Sequence, residues 1–511
     1  IKPILDENNK FNIENEEVPM RRINPKERMF KNRVEEIIYT GDRGYKLADV
    51  FENKVKLDDF VAQLSYNDLI CMFRGEGMCS PKVTPGTAAA FGGITESLRK
   101  FGIPVACCAD GPSGIRMDCG TNAFSLPNGT ALGCTFNVDL VKKLYKMTGI
   151  ELCRNKIDSL LGPGMNIHRN PLNGRNFEYV SEDPILTGKI GAAQVIGIQE
   201  AGSTATIKHV CANNQEASRR FVDSIVSERA LRDIYLKGFE IAVKEGKARS
   251  VMTTYNPVNG IWTAGSYDLC TTILRKEWGF DGIVMTDWWA EANTEGEKST
   301  RENKAPMVLA QNDLYMCVSN SLENPENDNV KERFEAGEVT RSDLQRNAKN
   351  ILKFIMKSQA MLHELNLISK EDLEEINGKD DDGNISLEDI VYYYADKDSN
   401  DIIIDASNFN NKKGDSEVFG ISLNELGLYN IEITMKSEQG SLSQLPLSIY
   451  YDNALKSTIT IRGTEGEWVT ESRELGFIFG VNHYIKLYFG ASGLDIDKVV
   501  IKFMGKGKLP F

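Results

Sequence analysis

The sequence predicts a multi-domain α/β plus all-β protein, a (β/α)8 barrel followed by a β-sandwich, and three observations carry that prediction. Between residues 57 and 365 short apolar runs recur, each ending abruptly in a polar or charged side chain. Stretches with helical spacing separate those runs, the order expected of βα units closing into a barrel. Beyond residue 400 helical spacing gives way to apolar and polar alternation between Gly- and Asn-containing turns, as in a sandwich. A barrel of this type needs about 250 residues, and 57–365 supplies them.

The clearest barrel strand is Gly282-Ile283-Val284-Met285-Thr286, followed at once by Asp287-Trp288-Trp289. An inner strand of a parallel sheet is covered on both faces and need not alternate. The side chain past its carboxyl end faces the mouth of the barrel, where chemistry sits. Asp287 therefore reads in two ways: as the cap of a following helix, or as a carboxylate in a pocket walled by an indole. The other runs repeat the design. Asp58–Leu69 carries helical spacing, Ile103–Asp110 is a strand ending in an acid, and Val138–Asn155 is helical. Ser159–Pro163, Thr204–His209 and Ser250–Tyr255 are each a strand running into polar residues. Residues 1–56 are polar and without a period, which suggests a linker or arm. The stretch 366–400 reads as an acidic linker ahead of a sandwich at 401–511.

Composition narrows the classes. A chain of 511 residues is too long for one core. Its net charge of -13 argues against a nucleic-acid partner, which is met with excess Lys and Arg. No apolar run approaches the roughly 18 residues that span a bilayer, so no membrane association is expected. The start at Ile1-Lys2-Pro3 shows no signal peptide and suggests a fragment or processed piece, with a cytoplasmic location expected. All ten cysteines lie between Cys71 and Cys317 without metal-type spacing and are expected to be reduced core residues.

The expected strand ends bring up Asp110, Lys208 with His209, Tyr255 and Asp287, with Arg175 from Asn173-Gly174-Arg175-Asn176-Phe177-Glu178. Singly, each has a structural explanation; Asp110-Gly111-Pro112, for example, is a turn signal. Together they are the mixture a polyhydroxylated ring calls for. Carboxylate, Lys and His hydrogen-bond hydroxyls, Arg fixes a rim, an aromatic forms a floor, and one carboxylate lies beneath the anomeric carbon.

The strings that hold these residues resemble the barrel domain of glycoside hydrolase family 3. They are Asp110-Gly111-Pro112-x-Gly114-x-Arg116; Gly174-Arg175-Asn176-Phe177-Glu178 with Ser181-Glu182-Asp183-Pro184; Lys208-His209-x-x-Ala212-Asn213-Asn214-Gln215-Glu216; Tyr255-Asn256-x-x-Asn259-Gly260; and Trp278-Gly279-Phe280-x-Gly282-x-x-Met285-x-Asp287-Trp288. The resemblance implies a retaining exo-β-glycosidase, foremost a β-glucosidase releasing terminal non-reducing β-D-glucosyl residues, with β-xylosidase or another β-glycosidase as neighbouring specificities. It makes Asp287 the nucleophile and Asp110, Arg175, Lys208, His209, Tyr255 and Trp288 ligands of the sugar. Lys208 and Arg175 are expected to keep Asp287 ionised at neutral pH. Val210-Cys211-Ala212-Asn213 departs from the N-acetylglucosaminidase branch, whose loop there carries an acid/base His.

In β-glucosidase-type members the acid/base Glu comes from an α/β-sandwich domain, and the sequence after the barrel is of another kind. The chain thus resembles the carboxyl portion of a permuted member, and a second polypeptide or a missing N-terminal part is expected to carry the acid. Glu178, Glu182 and Glu216 are the in-chain candidates. The other functional class is a non-catalytic sugar-binding subunit of a multi-chain complex. The expected partner is a small β-glycoside or oligosaccharide, a homo-oligomer is compatible with the sequence, and no cofactor is required.

Two further resemblances concern the carboxyl end. Asp380, Asp382, Asn384 and Asp389 are spaced like an EF-hand or dockerin loop and are the candidate ligands of a structural Ca2+, although Gly378 stands at the first ligand position. Gly466–Thr470, Gly480–Leu487 and Leu494–Val499 resemble jelly-roll carbohydrate-binding modules, with Trp468 and Tyr484 expected in the core.

Overall fold

The computed structural model describes residues 2–14, 25–77, 80, 82–84, 87–117, 123–294, 296–368, 390–440, 443–452 and 454–507. The chain divides into two compact units, one of Ile1–Arg116 with Ala123–Gly378 and one of Met117–Asn122 with Lys379–Phe511.

The first unit is built on eight short strands: β1 (Arg74–Glu76), β2 (Ala89–Gly92), β3 (Val105–Asp110), β4 (Ser159–Leu161), β5 (Thr204–Val210), β6 (Ser250–Thr253), β7 (Ile283–Met285) and β8 (Tyr315–Val318). They form one sheet in the order β7-β6-β5-β4-β3-β2-β1-β8. A parallel bridge between Met285 and Leu314, with Thr286 N donating to Leu314 O at 3.0 Å, brings the two edges together in a nearly closed barrel. Strands β3 to β7 are almost wholly buried, which is why their sequences run apolar instead of alternating.

The expected all-parallel ring needs one correction: β2 runs antiparallel to both β1 and β3. Gly92, at φ +88°, turns the chain off the end of β2 into a helix of only five residues, Glu96–Lys100. Antiparallel neighbours tolerate such a short connection, whereas parallel ones need a full crossover. Strands β1 and β2 escape the sequence because Arg74-Gly75-Glu76 holds no apolar run and Ala89-Ala90-Phe91-Gly92 is mostly Ala and Gly, which are poor strand formers, whereas β8 is an apolar run that the sequence reasoning did not single out.

The outer helices are set by their caps. Asn137 Oδ1 accepts from Leu140 N at 3.0 Å at the head of Val138–Arg154, and Asp183 Oδ1 accepts from Leu186 N at 2.7 Å ahead of Pro184–Glu200. The first buries Val141, Tyr145, Thr148 and Leu152, a 3.6-residue stripe. The two helices approach closely where a Cβ on Gly197 would lie 2.3 Å from Lys142 O. The expected helix Asp58–Leu69 is two helices, Leu57–Ala62 and Tyr66–Phe73, because Ser65 caps the second by accepting from Asp68 N at 3.1 Å. Residues 25–56 hold the helices Pro25–Lys31 and Leu47–Phe51 and are tied to the barrel: Ile37 N donates to Gln345 Oε1 at 3.0 Å, and Gln345 Nε2 donates to Ile37 O at 2.7 Å.

The second unit contains β9 (Tyr392–Tyr394), β10 (Ile402–Asp405), β11 (Ser416–Ser422), β12 (Gly427–Lys436), β13 (Gln444–Tyr451), β14 (Ala454–Arg462), β15 (Val469–Ile478), β16 (Asn482–Phe489) and β17 (Asp495–Gly505). Sheets β9-β11-β16-β13-β14 and β10-β17-β12-β15 share one apolar core. Strand β12 shows the principle: Tyr429, Ile431, Ile433 and Met435 point inward and the residues between them are half-exposed. Tyr484 is half-buried, but Trp468 is 49% exposed, so its expected core position is corrected. Trp468 precedes β15, and the Lys436 ammonium lies 5.2 Å from its ring.

The proposed calcium ligands Asp380, Asp382, Asn384 and Asp389 lie outside the described residues. Among the described residues no group of three His, Cys, Asp or Glu is placed to hold a metal, and no helix is long and apolar enough to cross a membrane. All eight described cysteines are free; seven are buried and Cys134 is exposed.

Candidate active site

Successive strands deliver their last residues to one end of the barrel. Asp110 closes β3, Lys208 and His209 lie in β5, Tyr255 follows β6 by two residues and Asp287 follows β7 by two. Arg175 comes from the loop after β4 and is drawn in by Glu178, whose Oε1 accepts from its Nε at 3.0 Å and Nη2 at 2.5 Å. The structure thus gathers Asp110, Arg175, Lys208, His209, Tyr255 and Asp287, with Trp288 beside Asp287 in the same buried cluster as Tyr255.

Asp287 does not cap a helix. The next helix begins at Ala305, and Asp287 Oδ1 accepts from the adjacent Trp288 N at 2.8 Å. Trp289, at φ +55°, turns the chain sharply, and its N–H reaches Met316 O on β8 at 2.7 Å. That anchor holds the carboxylate at the strand end. Its Oδ2 lies 3.7 Å from His209 Nε2, and the same imidazole nitrogen is 3.1 Å from Arg175 Nη2.

His209 is fixed from several sides. Tyr179 Oη is 3.4 Å from its Nδ1, and Asn166 clamps its backbone by accepting from His209 N at 3.0 Å and donating to His209 O at 2.8 Å. Asn213 Nδ2 supports Tyr179 Oη at 2.9 Å. Lys208, almost fully buried, points the other way and donates to Asp110 Oδ1 at 2.7 Å. The guanidinium carbons of Arg219 and Arg220 lie 4.7 and 4.8 Å from the centre of the Tyr255 ring, within cation–π range. Sequence reasoning missed Asn166 and both arginines. Asn213 and Tyr179 stood in or next to the quoted strings without a role.

The electrostatics split the two carboxylates. Burial opposes the charge of Asp110, but the Lys208 ammonium, its hydrogen bond and the Gly111 N–H outweigh it, so Asp110 sits below the ordinary carboxylate range. Burial raises Asp287 above that range, although the Trp288 N–H, Lys208, Arg175 and Tyr255 pull it down. Lys208 and Arg175 do pull Asp287 toward the charged form, but burial is the larger effect, and each cation spends its own hydrogen bond elsewhere, Lys208 on Asp110 and Arg175 on Glu178. Burial and the charges of Arg175, Lys208 and Arg219 depress His209 far below the usual histidine value and leave it neutral. A neutral imidazole and a buried carboxylate beside two cations offer hydrogen-bond donors and acceptors of the kind that can hold an uncharged, polyhydroxylated molecule.

Of the three in-chain candidates for the acid, Glu178 and Glu216 are committed to other side chains. Glu178 holds Arg175, and Glu216 accepts from Asn213 Nδ2 at 3.0 Å and from Arg219 Nη1 at 2.9 Å. Glu182 is exposed beside the capping Asp183.

The chain is similar to known proteins. The β-glucosidase of Ruminococcus albus is 49% identical over 487 residues, which are 95% of this chain and 51% of that protein. The crystal structure of a β-glucosidase from Paenibacillus barengoltzii superposes with a TM-score of 0.69 at 45% identity, covering 98% of this chain and 53% of that one. β-Glucosidase 3B of Thermotoga neapolitana, solved in complex with glucose, matches 63% of this chain and 45% of its own with a TM-score of 0.55 at 36% identity. The chain thus spans about half the length of these relatives. Residues 82–354 match the family model described as the glycosyl hydrolase family 3 N terminal domain, and they hold every side chain of the barrel-mouth site; this chain belongs to glycosyl hydrolase family 3.

Proposed function

We propose that this chain is the glycone-binding and nucleophile-bearing part of a retaining exo-β-glucosidase, with a (β/α)8 barrel and a jelly-roll sandwich. The observation that carries the reading is Asp287: a buried carboxylate at the end of β7, facing a neutral His209 and flanked by sugar-binding groups. Lys208, Asp110, Arg175 and His209 hydrogen-bond the sugar hydroxyls, Tyr255 orients Asp287, and Trp288 supplies apolar surface to the ring. Asp287 attacks the anomeric carbon as the bond to the aglycone oxygen breaks, and the electron pair leaves with that oxygen. Water then displaces Asp287 and releases glucose with retained configuration.

The leaving oxygen needs a proton donor, and Glu178 and Glu216 are tied to arginines. The acid is assigned to a segment outside this chain, in keeping with relatives about twice its length. The test is covalent trapping by 2,4-dinitrophenyl 2-deoxy-2-fluoro-β-D-glucoside, whose leaving group needs little protonation. One glycosyl mass on the peptide holding Asp287 supports the reading. Trapping at another residue, or none in the full-length protein, rejects it.

A further inference from the structure

Glu216 is left over from the reaction just described: a carboxylate near the pocket with no substrate role. Its Oε1 accepts from Asn213 Nδ2 at 3.0 Å and lies 4.0 Å from Arg175 Nε, and its Oε2 accepts from Arg219 Nη1 at 2.9 Å. Each contact leads on toward Asp287. Arg219 lies against the Tyr255 ring, and Tyr255 reaches Asp287. Arg175 touches His209, whose Nε2 is 3.7 Å from Asp287 Oδ2. Asn213 holds Tyr179 against the other nitrogen of His209.

We propose that Glu216 is a positioning residue for the nucleophile, tethering Arg219 over Tyr255 and Asn213 under Tyr179, and offsetting the positive charge that Arg175 presents to Asp287 and that Arg219 presents to the Tyr255 and His209 beside it. The proposal rests on Asp287 being the nucleophile. One carboxylate spans three separate supports, so both residues that touch Asp287 from the β5 and β6 sides are oriented through it. A side chain present only for packing would need no ionic partner on each oxygen. The charged and titratable groups facing Asp287 are Lys208 and His209 from β5, Arg175 from the loop after β4 and Tyr255 from beyond β6; those facing Glu216 are Arg175, Arg219 and Tyr179.

The experiment measures the rate of trapping by the dinitrophenyl fluoroglucoside against pH in the full-length protein, for wild type, Glu216→Gln, Glu216→Asp and Arg219→Gln, with melting temperatures alongside. Glu216→Gln leaves two cations less compensated, so Asp287 ionises more readily and the acid limb moves to lower pH. Its plateau rate falls by about 10- to 100-fold as Tyr255 and His209 lose their orientation. Arg219→Gln removes the cation on Glu216 Oε2 and leaves that carboxylate to Asn213 and Arg175, so the positive charge around the nucleophile falls and the acid limb moves to higher pH. Opposite displacements from two partners of one ion pair do not arise from general loss of structure. Glu216→Asp, a shorter carboxylate, returns the limb toward wild type. Limbs that stay in place in both variants, or move together with a fall in melting temperature, overturn the proposal while leaving Asp287 as nucleophile. A wild-type protein trapped elsewhere, or not at all, overturns the nucleophile reading and this proposal with it.

Discussion

Lys208 Nζ lies 2.7 Å from Asp110 Oδ1, joining the ends of β5 and β3, which are separated in the sheet by β4. The pair keeps an acceptor and a donor of fixed polarity at one place in the pocket, where the proposed function puts two sugar hydroxyls. The Lys208 side chain is only 4% exposed, so its charge is worth far more there than on the surface.

From this pair follows a binding prediction. Lys208→Met removes a charged donor from the pocket, a loss of about 1.5–3 kcal/mol. The Kd for glucose, read by calorimetry, is expected to rise about 10- to 150-fold. An unchanged Kd means that the ammonium serves only Asp110.

The pH dependence follows from Asp287. As the proposed nucleophile Asp287 must be ionised to react, and its carboxyl sits above the ordinary range, so the trapping rate is expected to be lost on the acid side at a higher pH than an exposed aspartate would give. Asp110 lies below that range and His209 far below its own, so neither produces this limb. Removing a cation must raise Asp287 further. In Lys208→Met the acid limb, measured with the activated fluoroglucoside, is expected at still higher pH, and a shift to lower pH contradicts the assignment.

Ion pairs in the two units should differ in their contribution to stability. Arg74 Nε meets Asp328 Oδ2 at 2.7 Å with the side chains 5% and 0% exposed, whereas the Arg473–Glu471 pair is open to solvent. Asp328→Ala leaves a buried guanidinium without its counter-charge and is expected to cost about 3–5 kcal/mol in urea unfolding. Glu471→Ala is expected to cost about 0–1 kcal/mol. Equal costs would show that Arg74 finds another partner.

Packing of the outer helices gives a fourth expectation. A methyl on Gly197 meets a carbonyl oxygen of the neighbouring helix at 2.3 Å, and backbone cannot swing aside. Gly197→Ala is expected to destabilise by about 1–3 kcal/mol despite the better helix propensity of Ala. A raised melting temperature would mean that the helix pair can separate without loss.

The sequence by itself determined the βα order, the four barrel strands that end in Asp110, Lys208-His209, Tyr255 and Asp287, and the two-sheet character of the carboxyl end. Those features are local: an apolar run stopped by a polar residue, or an alternation of period two, is written in neighbouring positions. Tertiary structure decided the rest. The direction of β2 depends on how Gly92 and a five-residue helix return the chain, and β1 is too short and too polar to announce itself. The surface position of Trp468 depends on where the following strand, β15, joins the sheet. The direction in which Asp287 is shifted could not be read from its neighbours in sequence, because burial raises it against the pull of Lys208 and Arg175, which are hydrogen-bonded to Asp110 and Glu178. The role of Glu216 is of the same kind, since it depends on three partners that the chain brings together only when the barrel closes.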